Sequence, residues 1–172
     1  MYQGNKSSEI ANSFFTTFLG LHMDFLQTGI SSIKDALHSK VYIKIGDAIA
    51  NLIYSLAKAK YSKEILGKLE IKGSPKVSAK VLKDSLEDID ELEELGIKVK
   101  GDAHAIADGA EAILAYAWVT EIITLDEAVE LVAGPVINAQ PVKKREEFDA
   151  FSDGFRKVFK KITSFLGKTK TE

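Results

Sequence analysis

The sequence contains no cysteine, three prolines and a single tryptophan. Without cysteine there can be no disulfide scaffold, no thiolate zinc site and no cysteine nucleophile, and the chain suits a reducing, cytoplasmic setting. Any metal must be held by oxygen or by one of the three histidines. No apolar run approaches the roughly 20 residues that span a bilayer. The N-terminus "MYQGNKSSEIANS" also lacks the charged-then-apolar layout of a signal peptide. A soluble protein with no membrane partner is expected, its mature form being the whole chain. Excess positive charge is missing too: 23 Lys and Arg stand against 25 Asp and Glu, a net charge of −2. That excludes a broadly basic nucleic-acid surface and leaves room only for a local patch.

What is present is enough for one domain. A chain of 172 residues, 45% of them hydrophobic, can bury a real core. Apolar residues between Ser8 and His38 recur at helical spacing, with Gly20 and Gly29 as breaks, which predicts two or three amphipathic helices. Residues 41–59 predict a helix so uniformly apolar or small that it belongs in the centre of the core. After Gly73, Ser74 and Pro75 read as a cap and first turn for a helix from about Lys76 to Leu95, ended by Gly96. Asp102 is placed to cap a second central helix. Thr124 and Glu127 have capping-box spacing, and a short helix Asp126–Ala133 should stop at Gly134-Pro135.

From Lys143 onward nine basic residues stand against five acidic, over an apolar stripe that includes Phe151, Phe155 and Phe159. This is a basic amphipathic helix docked on the core or on a partner. With no strand-like alternation and no repeat, the fold class is all-α, with a domain over 1–140 and the C-terminal helix over 141–172.

Three carboxylates sit where burial would be costly: Asp47, Asp108 and Glu111, each on a helix otherwise made of small and apolar residues. Asp108 and Glu111 are three apart and share a helix face, while Asp47 must arrive from another helix. An oxygen-only set suits Mg²⁺ or Mn²⁺ and does not suit zinc. Such a site requires the three acids to converge within about 5 Å of one point. The plainer alternative is that Asp47 and Asp108 cap helices and Glu111 pairs with a lysine.

At this point the chain resembles a family. "IGDAIANLI" is similar to the glycine-aspartate-alanine signature helix of the ribonuclease III family, and "IADGAEAILAYAWVTEIITLDEAVELV" resembles its second acidic helix, over roughly residues 37–133. The resemblance implies the helical endonuclease-domain fold, with Asp47, Asp108 and Glu111 as metal-binding carboxylates and Asp47 and Glu111 central to catalysis. It implies an endoribonuclease that cuts double-stranded or structured RNA with Mg²⁺ to leave a 5′-phosphate and a 3′-hydroxyl, as in processing of ribosomal or other stable RNA. It also implies a homodimer, with the Asp47 helix near the two-fold axis.

Two departures accompany the resemblance. Ile43 stands one turn before Asp47, where most of the family carries a glutamate; compact, single-domain "mini" members look similar there. Only about 30 residues follow Gln140, too few for the family's usual double-stranded-RNA-binding domain. Substrate contact must then come from the catalytic domain and the basic tail. Further candidates for that contact are Asn51, one turn after Asp47, and Lys76, Lys80 and Lys83 at helical spacing.

The seven acids between Asp84 and Glu94 read as a solvated helix face that would repel RNA, and His22, His38 and His104 as structural residues. Two other readings stay open: a catalytically inactive ribonuclease-III-like domain that binds RNA or protein, and a helical assembly protein that docks through its phenylalanine-rich tail.

Overall fold

The structure is a computed structural model that describes residues 25–26 and 28–169. Most of the expected helices between Ser8 and His38, and His22 with them, lie outside the described residues. The chain divides into units 1–31 and 32–172, and the described residues of the second carry seven helices. They are α1 (Ile33–Leu37), α2 (Lys40–Leu66), α3 (Ala79–Leu86), α4 (Asp90–Glu94), α5 (Ala103–Val119), α6 (Leu125–Ala139) and α7 (Lys144–Lys168). No strand occurs among the described residues.

Local signals set several helix starts. Asp102 caps α5 by accepting from the Ala105 N–H at 2.9 Å. The Thr124 side chain accepts from the Glu127 N–H while Glu127 accepts from the Thr124 N–H, a reciprocal capping box that opens α6. Helix α2 runs past residue 59 to Leu66 and ends at Gly67, whose φ of 70° lets the chain turn left-handed.

Two expectations give way to tertiary structure. The single helix over 76–95 is instead α3, an elbow and α4. Ser78, not Ser74, caps α3, so Pro75 and Lys76 lie in the preceding loop. At the elbow Glu87 is extended and Asp88 has φ 62°. The carbonyls freed there are taken by Arg156 of α7, whose guanidinium donates to Asp84 O at 2.7 Å and Glu87 O at 3.2 Å. Bending there also lets Ile89, Leu92 and Leu95 reach the core.

The second is α6, which continues through Gly134 and Pro135 to Ala139. Proline in a helix interior costs roughly 3 kcal/mol. Burial of Val132, Ala133 and Val136 against α2 and α7 offsets that cost.

The core forms where α5 packs on α2, α6 on α7 and both α3 and α6 complete the sides. Helix α7 is part of it: Phe151, Phe155, Phe159 and Ile162 are fully buried, each contributing roughly 1.5–3 kcal/mol. Gly154 allows this closeness, since a β-carbon there would lie 2.6 Å from the Val132 carbonyl oxygen.

Helix α2 has three faces. Ile49, Ala50, Ile53 and Ala57 point into the core, and Asp47, Asn51, Tyr54 and Lys58 form a polar line. The third face is apolar and exposed, with Val41 58%, Leu52 46% and Leu56 39% accessible. The expected central helix is therefore central on one face only.

Candidate functional site

The sequence brings Asp47 and the pair Asp108 and Glu111 together through a glycine. A β-carbon on Gly46 would lie 1.9 Å from the Glu111 carbonyl oxygen, so α2 and α5 meet backbone to backbone at this point. Any side chain at 46 would push the helices apart and carry Asp47 away from Glu111. Gly109 plays a similar part on the other side of α5, where a β-carbon would lie 2.4 Å from Val99 Cγ1.

Asp47 and Asp108 are exposed and Glu111 is half-buried. The Glu111 carboxyl is pushed up from 4.5 to about 7, first by burial and then by the charges of Asp47 and Asp108. Those two contributions locate all three acids in one electrostatic neighbourhood. None of them forms an ion pair among the described residues, so the plainer alternative of Glu111 paired with a lysine is not what the side chains adopt. Asp108 caps nothing either, lying mid-helix in α5 with Asp102 as the cap.

The side chains do not close on a single point. Among the described residues no three of His, Asp and Glu are gathered tightly enough to hold an ion. Asp47 is engaged along its own helix, where its Oδ1 accepts from Asn51 Nδ2 at 2.9 Å. The Asn51 carboxamide in turn accepts from the Val77 N–H at 2.9 Å. Asn51 thus orients Asp47 and ties the 73–78 loop to α2.

Ile43 is half-buried one turn before Asp47. Of the candidate lysines, Lys80 and Lys83 are held by Asp84 and Glu87 one turn on, whereas Lys76 is exposed in the loop. Glu87, Asp88, Asp90, Glu91, Glu93 and Glu94 are all exposed, in keeping with a solvated acidic run. His38 and His104 are exposed, and neither lies among the three acids.

Sequence reasoning missed the open apolar face of α2. With Trp118 and Leu125 it lines a groove of about 510 Å³ floored by Val41, Ile45, Ala48 and Leu52. The spacing of those four residues was the available signal. No helix among the described residues is long and apolar enough to cross a membrane.

Comparison with known proteins identifies the family. No curated protein sequence matches the chain. The Ribonuclease III family matches residues 40–166, from the first residue of α2 almost to the end of α7. The match takes in both acidic helices, their contact at Gly46 and the C-terminal helix that completes the core, and the chain belongs to the ribonuclease III family.

Proposed function

We propose that the chain is a metal-dependent endoribonuclease that hydrolyses double-stranded or structured RNA, in the processing of ribosomal or other stable RNA. The observation that carries this reading is the group of three unpaired acids over the α2–α5 contact, with Glu111 raised to about 7 by burial and by the other two. An all-oxygen set whose charges repel one another fits a hard divalent cation, which would relieve that repulsion. Asp47, Asp108 and Glu111 are the residues that would hold Mg²⁺ or Mn²⁺. When bound, such an ion lowers the pKa of water and neutralises charge gathering on the reacting phosphate.

The rest of the work falls to the chain itself. Glu111 would hold the ion in its ionised form, and Asn51 keeps the Asp47 carboxylate in a fixed orientation through its bond at 2.9 Å. Gly46 keeps the two acidic helices at contact distance. The products are a 5′-phosphate and a 3′-hydroxyl.

The exposed apolar face of α2 supports a homodimer. It offers Val41, Leu52 and Leu56 at helical spacing beside Trp118, on the same helix as Asp47. A second copy of that face would cover it, with the two Asp47 helices near the symmetry axis.

The test is cleavage of a synthetic RNA duplex by the purified chain with Mg²⁺. Asp47→Ala and Glu111→Ala should each lower the rate at least ~100-fold. Absence of metal-dependent cleavage of any duplex or structured RNA refutes the reading. One observation favours a second reading, a catalytically silent RNA-binding domain: the apolar, half-buried Ile43 beside the acids. That reading expects RNA binding indifferent to Mg²⁺ and to Glu111→Ala.

A further inference from the structure

The polar line on α2 does not end at the acids. Asp47, Asn51, Tyr54 and Lys58 follow one another at helical spacing, and eleven residues at a rise of 1.5 Å carry the line about 16 Å from Asp47. There it enters a cleft of about 540 Å³ between the 72–78 loop and the start of α7. Five lysines line this cleft, Lys58, Lys72, Lys76, Lys143 and Lys144, against one carboxylate, Glu147. In a chain of net charge −2 this is a pronounced local reversal of sign.

The cleft is also built. Lys58, only 10% exposed along its side chain, pairs with Glu147 at 3.3 Å and donates to Ser74 O at 3.3 Å. Ser55 Oγ donates to Pro75 O at 2.9 Å, and Asn51 holds the Val77 N–H. These bonds fix the loop on α2, and the remaining lysines line the same opening. Lys76, Lys143 and Lys144 form no ion pair among the described residues, and Lys72 meets only Glu70 at 3.2 Å. Their charge is available to a ligand.

We infer that this cleft holds the ribose-phosphate backbone of the RNA whose scissile phosphate lies at the acids, so that α2 acts as a ruler between the point of grip and the point of cutting. Lysines contribute sequence-independent phosphate contacts, the kind that fix register on a nucleic acid. The grip comes from three stretches far apart in sequence, and two of its lysines belong to the C-terminal segment. The inference rests on the RNA substrate proposed above.

The test measures binding of a ~20-base-pair RNA duplex to the full chain in EDTA over a range of salt, together with Mg²⁺-dependent cleavage. The variants are K72A/K76A and K143A/K144A, all four exposed side chains, with K157A/K160A as a control that removes the same charge from α7 outside the cleft. Thermal melting checks that each variant folds. Each cleft variant should bind roughly tenfold or more weakly near 0.15 M salt, with a salt slope lower by about two, and should raise KM while leaving kcat unchanged. The control should change affinity by no more than about twofold. Cleft variants that bind like the wild type, while the wild type binds and cleaves RNA, overturn the cleft and leave the function standing. Equal losses in cleft variants and control also overturn it, because net charge alone then explains binding. A wild type that binds no RNA overturns the functional reading itself.

Discussion

Gly46 and Glu111 touch through their main chains: a methyl group on the glycine would sit 1.9 Å from the glutamate's carbonyl oxygen. The position of one acid on α5 is therefore set by the missing side chain next to another acid on α2. Gly46→Ala should cost at least ~2 kcal/mol, because neither partner is a flexible side-chain end that can move aside. A melting curve within a degree of the wild type would show that the helices do not meet there.

Glu111 gives the metal-free protein a signature in pH. Its folded pKa of about 7 lies above the ordinary 4.5, so the fold favours the neutral acid. Stability from this group is complete below pH 4.5 and is lost as pH rises through about 7, a change of about 1–2 kcal/mol after allowing for partial exposure. Glu111→Gln should flatten chemical denaturation midpoints across that window, and Asp47→Asn should reduce the slope by a smaller amount. A wild-type midpoint independent of pH from 4.5 to 7 would contradict both.

Asn51 joins Asp47 to the Val77 N–H. Asn51→Ala leaves that N–H without its partner and should cost about 1–2 kcal/mol. It should also loosen the 73–78 loop, seen as faster amide exchange at Val77. Asn51→Asp places a carboxylate against Asp47 and should be the worse of the two. Equal exchange rates in wild type and Asn51→Ala would remove Asn51 as the tie.

The open apolar face of α2 leads to a prediction about assembly. Leu52→Asp, at a side chain already 46% exposed, should turn a dimer into a monomer by light scattering while leaving the helical signal intact. An unchanged mass for both proteins would mean that this face is not the seam.

What could be read in the sequence was local. The caps at Asp102 and Thr124 are signals spanning three or four residues, and the structure repeats them. The elbow at Glu87 depends on Arg156, 69 residues away, and no window over 76–95 contains that arginine. Gly134 and Pro135 are sound breakers on local chemistry, yet burial of Val132 and Val136 outweighs them.

The acids themselves could be picked out because carboxylates are conspicuous on apolar helices. Their failure to close on one point could not be foreseen, since side-chain placement, including the Asn51–Asp47 bond, is not written in residue spacing. Of the lysine cleft only Lys76 stood out as a single candidate, and the grouping could not be read for a related reason. Its members have unremarkable spacing, and only the pinned loop brings Lys72 and Lys76 opposite Lys143 and Lys144.

The reach of Arg156 to Asp84 and Glu87 also bears on how the chain is made. During synthesis α3 is complete some seventy residues before the side chain that closes its end exists, and the phenylalanines of α7 are among the last core residues to appear. A nascent chain stopped at residue 140 would present an open apolar wall along α6 and unsatisfied carbonyls at the elbow. The fold of the preceding helices is therefore completed only once α7 has been made, which raises the share of contacts that are distant in sequence.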